Sequence, residues 1–312
     1  MKSSLNQLYQ ILGVSKQAVI KYHKKQLELD KKIAGLVIEV DLLRSEHPGC
    51  GVEKMYYTLM PDFLGRDKFI LILMDLGYRV RPIKSYHRTT IPVHSKYKNL
   101  IQGLMVRDMN IVWQSDITFY QVRGRYYYII FIIDIYTKKI IGHIVSNNMR
   151  AQANMKALKM AIKNCNGTLD NLIHHSDRGS QYIYKDYTTL LEAKGAKISM
   201  GHKAQDNAYA ERINGTIKNE YLKHWEISTF EELKSKLNKA VKHYNTKRIH
   251  NELPQRLTPI EFEKIILNLD SQRKPTVIIY ADGNDKIKSA FNRLDFKPKG
   301  KPLAHNCPII NE

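Results

Sequence analysis

Three carboxylates in this chain stand where a carboxylate needs a reason. Asp116 interrupts an otherwise apolar and aromatic strand pattern, Val-Trp-Gln-Ser-Asp-Ile-Thr-Phe-Tyr (112–120). Asp177 lies in His-His-Ser-Asp-Arg-Gly-Ser-Gln-Tyr (174–182), just past a short buried strand announced by Leu172 and Ile173. Glu211 belongs to Asp-Asn-Ala-Tyr-Ala-Glu-Arg-Ile-Asn-Gly-Thr-Ile-Lys (206–218). That segment reads as a helix with Asp206 as N-cap and Ala210, Ile213, Ile217 and Tyr221 as its buried stripe. Glu211, Asn214 and Lys218 form an adjoining, more exposed stripe at i, i+3 and i+7. Carboxylates at a strand end and on a helix can face one space. Such hard oxygen donors suit Mg²⁺, which takes one or two carboxylates plus substrate phosphate.

Positioning these groups falls to a run of alternating segments. Residues 111–122 alternate, Arg123-Gly124-Arg125 turns, 126–133 return, and 140–145 make a third strand after Thr137-Lys138-Lys139. Residues 151–164 read as helix, 171–175 as strand, 184–194 as helix and 196–199 as strand; 207–221 and 230–245 are helical. Near the three carboxylates, Asp134 reads as a turn cap, and His174 and His175 as structural flanks of an apolar strand. Gln181 and Asn207 read as supporting hydrogen bonders, Trp113 as core, and Glu220 as pointing away from the site.

The chain resembles the insertion-sequence transposases of the IS-three type, whose DDE catalytic core is like that of retroviral integrases. The resemblance rests on Trp-Gln-Ser-Asp-Ile-Thr, His-Ser-Asp-Arg-Gly-Ser-Gln-Tyr, Asp-Asn-Ala-x-x-Glu with Lys218, and His243-Tyr244-Asn245 followed by Arg248-x-His250. It covers roughly residues 5–265. The gap between Asp177 and Glu211 is slightly shorter than is usual in the family, which implies a shortened loop around 199–205. The resemblance implies an α/β, ribonuclease H-like core, and it supplies a strand order that pattern alone does not. It also implies Asp116, Asp177 and Glu211 as catalytic and metal-binding residues, with Asp116 bridging two Mg²⁺ (or Mn²⁺) ions about 3.5–4 Å apart. Lys218 is then a point charge suited to a DNA phosphate, with Arg178 as a second contact. Gly215 removes a side chain where a DNA backbone could approach.

Composition agrees with a polyanion as partner. Lys and Arg number 50 against 30 Asp and Glu, a formal charge of +20, which favours fast, salt-sensitive association with nucleic acid. Cys50, Cys165 and Cys307 are far apart and form no Cys-x-x-Cys pair, so neither a zinc module nor a disulfide framework is indicated. The N-terminus has no apolar signal core, and the longest apolar run, 126–133, is too short to span a membrane. The expected location is cytoplasmic and nucleoid-associated.

Upstream of the core, residues 1–80 read as an all-α DNA-binding region with two helix-turn-helix modules, 5–26 and 52–76. In the first, Gly13-Val14-Ser15 supplies the turn and the cap, and Lys16, Gln17 and Lys21 point toward DNA. Residues 28–46 form a separate amphipathic helix ended by His47-Pro48-Gly49. Residues 81–109 read as a basic linker, 110–266 as the catalytic core, and 267–312 as a basic, Pro-rich tail around a hairpin at 277–284. The function expected is a DNA transposase that nicks element ends and joins the 3′-hydroxyl to DNA. Its partners would be terminal inverted repeats, target DNA, further copies of itself and a companion from an upstream frame. A non-transposing nuclease would need neither the helix-turn-helix region nor the charge. A silent DNA-binding regulator would have no chemical need for three clustered carboxylates.

Overall fold

The structure is a computed structural model that describes residues 9–80, 97–165, 169–201 and 204–279. It resolves into two compact units: residues 1–84 with 219–225, and the remainder. In chain order the regular elements begin with the helices α1 (Lys16–Glu46), α2 (Val52–Leu59) and α3 (Arg66–Asp75). The strands β1 (Met105–Val106), β2 (Val112–Val122), β3 (Arg125–Asp134) and β4 (Ile140–Ser146) follow. Next come α4 (Ala151–Cys165), β5 (Ile173–Ser176), α5 (Lys185–Ala193) and β6 (Lys197–Met200). The chain continues with α6 (Ala208–Glu220), α7 (Phe230–Thr246), α8 (Pro259–Leu267) and β7 (Val277–Ile278).

In the helical unit the expected turn is present. Gly13 takes φ +62°, and the Ser15 hydroxyl accepts from the Ala18 N–H at 3.1 Å. The expected boundary between 26 and 28 is not: α1 runs unbroken for 31 residues. Residues 24–31 hold only tolerant or good helix formers, and Gln26 donates to Asp30 one turn on, so nothing stops the helix. The first module is therefore the start of a longer helix, whose Leu36 and Val40 pack with Val52, Met55, Phe69 and Leu73 from α2 and α3. Residues 219–225 join this unit through a clasp. The Gly49 N–H donates to the Glu220 carbonyl at 2.8 Å, and the His47 ring stacks on Tyr221 with centroids 4.7 Å apart. A Cβ on Gly49 would lie 2.5 Å from the Glu220 Cα, so only glycine permits that approach.

The larger unit is built on a five-stranded sheet of order β4-β3-β2-β5-β6. β2, β3 and β4 are antiparallel neighbours; β5 and β6 join parallel. Three meandering antiparallel strands followed by helix-linked parallel ones make the ribonuclease H-like α/β arrangement. The β2–β3 hairpin closes through Arg123 and Gly124, at φ +47° and +80°, the two left-handed positions a two-residue turn needs to match strand twist. β3 is an interior strand, buried on both faces toward its end, which explains its unbroken apolar run. α4 lies against β4 so closely that a Cβ on Gly142 would sit 2.4 Å from the Ala157 carbonyl oxygen.

Two expected boundaries move. Residues 97–108 are not linker: Ile101 and Val106 are buried. Nor is the whole of 267–312 a tail. Met105–Val106 pairs antiparallel with Val277–Ile278, Lys274 is bonded to Asp108 at 2.5 Å, and the Tyr136 hydroxyl donates to the Pro275 carbonyl. Burial of Val277 and Ile279 drives this return to the core. The hairpin expected at 277–284 thus yields its first strand to a different partner, and its remainder lies outside the described residues, as do 81–96 of the linker.

Candidate active site

β2 and α6 together build the site. Gln114, Asp116 and Thr118 alternate onto one face of β2, and each meets α6 or its entry. The Gln114 amide donates to the Asp206 carbonyl at 3.1 Å and accepts from the Ala210 N–H at 3.2 Å. The Asn214 amide donates to Asp116 Oδ2 at 2.5 Å, and the Lys218 ammonium donates to the Thr118 hydroxyl at 2.6 Å. The spacing has a geometric cause. Two strand residues advance about 6.6 Å and four helix residues about 6 Å, so a helix running along a strand keeps step with it.

Asp177 is placed by sheet register. β5 runs parallel to β2 with Ser176 opposite Ser115, so the next residues, Asp177 and Asp116, emerge side by side on neighbouring strands. The Gly179 N–H donates to Asp177 Oδ1 at 3.1 Å, and a Cβ on Gly179 would crowd both that oxygen and Gln181 Oε1. Glu211 follows Ala210 in the first turn of α6 and is exposed.

The electrostatics mark the three as one group. Asp116 is pushed well above the usual carboxylate range, by burial first and then by the charges of Asp177 and Glu211. Glu211, whose carboxyl is partly enclosed although the residue as a whole is exposed, is raised by that enclosure and by the charge of Asp177. Among the described residues, no three carboxylate, imidazole or thiolate groups converge tightly enough to enclose a single ion. The donor set nonetheless fits divalent metal: hard oxygens only, with Asp116 raised by the charges of Asp177 and Glu211, and Glu211 by that of Asp177, so that a cation would relieve their repulsion. Asp116, Asp177 and Glu211 are the residues that would hold it.

The surrounding residues sort clearly. Asp134 caps turns, accepting from the Thr137 N–H and hydroxyl and from the Asn110 N–H. His174 bonds the Tyr187 hydroxyl and His175 the Ser199 hydroxyl; burial lowers them to about 3 and about 4, so both are neutral supports. Asn207 supports from beneath, donating to the Ser115 carbonyl at 3.0 Å. Trp113 is core.

Two expectations need correction. Asp206 is not the cap of α6; it sits in the turn Ala204–Asn207, which places Asn207 at the flanking position. The stripe of Glu211, Asn214 and Lys218 is not uniformly exposed either. Asn214 is buried on Asp116, and Lys218 is half-buried on Thr118, its ammonium 5.8 Å from the Phe119 ring centre. Arg178 keeps its Nε enclosed with no hydrogen-bond partner among the described residues. Lys16, Gln17 and Lys21 are exposed on the first turns of α1. Sequence reasoning missed Tyr182, which is buried behind both aspartates with its hydroxyl 2.9 Å from that of Ser115. Its place in the Gly-Ser-Gln-Tyr run after Asp177 was the available signal.

The five-stranded α/β core is ribonuclease H-like, and an aspartate on its central strand, a second beside it and a glutamate on the helix that tracks the same strand form its candidate site. Comparison with known proteins identifies the family. Residues 107–205 and 195–259 each match an integrase core domain family. The chain is 32% identical over 209 residues to the uncharacterized 31 kDa protein of insertion element IS600 from Shigella sonnei, covering 64% of this chain and 75% of that one. It is 34% identical over 155 residues to the putative transposase InsK of insertion sequence element IS150 from Escherichia coli, covering 49% of this chain and 54% of that protein. Among solved structures, the HTLV-2 integrase catalytic core domain in complex with magnesium superposes with TM-score 0.39 at 19% identity, covering 53% of this chain and 99% of that one. The chain belongs to the insertion-sequence transposases with an integrase-type core, a family of polynucleotidyl transferases, in keeping with the IS-three type expected from its motifs.

Proposed function

We propose that this protein cuts DNA at the ends of its insertion sequence and transfers the freed 3′-hydroxyl into new DNA, with Asp116, Asp177 and Glu211 as the catalytic carboxylates. The observation that supports this best is the β2–β5 register, which sets two aspartates side by side while α6 carries Glu211 along the same strand. Two Mg²⁺ or Mn²⁺ ions, when bound, would supply charge to activate the attacking oxygen and stabilise the leaving one. The chain's own part is orientation. Asn214 fixes the Asp116 carboxylate and the Gly179 N–H fixes that of Asp177. Lys218 holds an ammonium at Thr118, where a strand phosphate could take the place of the hydroxyl.

The DNA partners are the element's terminal repeats and a target duplex, with Lys16, Gln17 and Lys21 of the helical unit and Arg178 and Lys218 near the site as contacts. Joining two element ends requires at least two active sites, so the working form is a homo-oligomer on DNA in the nucleoid, with or without a companion from an upstream frame. Among the described residues no helix is long and apolar enough to cross a membrane.

Glu211→Gln and Lys218→Ala, assayed in parallel for DNA binding, nicking and joining, test the reading. Glu211→Gln keeps size but removes the charge, so it should bind DNA and neither nick nor join. Lys218→Ala should slow the chemistry by about 10²-fold through mispositioning. Joining by Glu211→Gln at near wild-type rate would overturn the carboxylate assignment.

A further inference from the structure

Lys138 combines three features foreign to an ordinary turn lysine. It lies between β3 and β4 with its backbone in the left-handed region, φ +63°, where a side chain is disfavoured. Its ammonium is buried, 3.9 Å from the centre of the Tyr209 ring and 4.0 Å from Glu252 Oε2. Its carbonyl accepts a hydrogen bond from the Tyr244 hydroxyl at 3.1 Å. Lysine is almost never fully buried unless paired, and a strained backbone persists only where its surroundings hold it.

The holding residues come from the His243-Tyr244-Asn245 motif on α7, which the carboxylate site leaves unexplained. Asn245 behaves like an extra strand residue at the far end of the turn: its Oδ1 accepts from the Ile140 N–H at 3.0 Å and its Nδ2 donates to the Ile140 carbonyl at 2.9 Å. Arg248 and His250, from the same motif, pack on the Tyr244 ring. The motif therefore grips the turn at Lys138 and at Ile140.

What the turn grips in its own right is α6. Tyr209 and Arg212, three residues apart, lie on one face of that helix. Lys138 covers the Tyr209 ring, and Glu252 pairs with Arg212. Glu211 is two residues from Tyr209, about 200° around the helix, so it faces the opposite way. A helix held on its back face cannot rotate. With side-chain ends about 5–6 Å from the axis, a rotation of about 10° would carry the Glu211 carboxylate about 1 Å, a displacement large enough to cost about 10²-fold in rate.

We infer that Lys138, locked in its turn by Tyr244 and Asn245, is a positioning residue that fixes the rotation of α6 through Tyr209 and so sets where Glu211 presents its carboxylate to metal. The inference rests on Glu211 being a metal ligand, as proposed above.

The test uses the full chain, with Mn²⁺ as probe, binding measured by calorimetry, and nicking of supercoiled plasmid DNA as a second readout. Lys138→Met keeps the length and removes the charge. It should fold, yet bind Mn²⁺ about 10- to 100-fold more weakly, the usual effect of losing a residue that orients a ligand. Tyr209→Leu should do the same, and the double variant should be no worse than either single one, because both remove one interaction. Tyr209→Phe keeps the ring face and should restore Mn²⁺ affinity. Lys139→Met, an equal charge change one residue away on the Glu263 side, should leave Mn²⁺ affinity unchanged. Wild-type Mn²⁺ affinity in Lys138→Met or Tyr209→Leu, or multiplicative losses in the double variant, would overturn the inference. Should Lys138→Met fail to fold, the Tyr209→Leu and Tyr209→Phe pair decides alone. Glu211→Gln run alongside separates the two claims. If it too binds Mn²⁺ normally, the site assignment fails; if it alone loses Mn²⁺, only the role of Lys138 does.

Discussion

Gln114 offers a direct measure of how firmly α6 is fastened to the sheet. The side chain is 1% exposed and bridges two backbone groups, donating to the Asp206 carbonyl and accepting from the Ala210 N–H. Gln114→Met preserves shape but strands both backbone partners. Each buried group left unsatisfied costs about 1–3 kcal/mol. Some relaxation of the turn Ala204–Asn207 would bring the total to about 2–4 kcal/mol. In a unit of this size each kcal/mol shifts the melting temperature by about 2–4 °C, so a fall of about 4–16 °C is expected. Because the loss is local, amide hydrogen exchange in the first turns of α6 should accelerate by at least about 30-fold, the factor that 2 kcal/mol represents. Exchange in β4, which does not neighbour β2 in the sheet, should change only by the global amount. Exchange in α6 unchanged within about threefold, with an unchanged melting temperature, would refute the reasoning that Gln114 pins the helix carrying Glu211.

Other expectations follow from the same geometry. Asp116 and Glu211 have folded pKa values above their unfolded ones, so their contribution to stability is complete below about pH 4 and is lost as pH rises through the raised values. His174, His175 and Lys138, lowered to about 3, 4 and 7, pull the other way. The informative quantity is therefore the melting-temperature gain on adding Mg²⁺: it should grow from pH 5 to pH 8 as metal displaces protons from the carboxylates, and a gain that shrinks with pH would count against the site. With a charge of +20 and about 6–10 phosphates contacted, DNA affinity should fall about 10³- to 10⁵-fold between 50 and 200 mM salt in a filter-binding titration; a nearly flat dependence would remove phosphate-led binding. Gly142→Ala should destabilise the core by more than 1 kcal/mol in urea titration, because the new methyl meets the Ala157 carbonyl and α4 must move.

Much of this protein is written in local pattern. The strands 112–122 and 125–134, the helices that follow and the three carboxylates were legible because alternation, helical spacing and a charge in an apolar run are properties of neighbours in sequence. The turn at Gly13-Val14-Ser15 was legible for the same reason, since a left-handed glycine and a hydroxyl cap act within four residues. Other features belong to tertiary structure alone. A two-residue strand has no period, so nothing near 105 or 277 announces that Met105–Val106 will pair with Val277–Ile278; burial of apolar groups far apart in the chain decides it. The stop expected near residue 27 failed because a long polar helix and two shorter ones share the same local propensities. Lys138 reads as one more solvated turn lysine until α7 and α6 close over it, and Tyr182 as one more core aromatic until the β2–β5 register brings both aspartates in front of it. Sequence named the groups that could bind metal; strand register brought Asp177 beside Asp116, and the matched rise of α6 along β2 set Asn214 on Asp116.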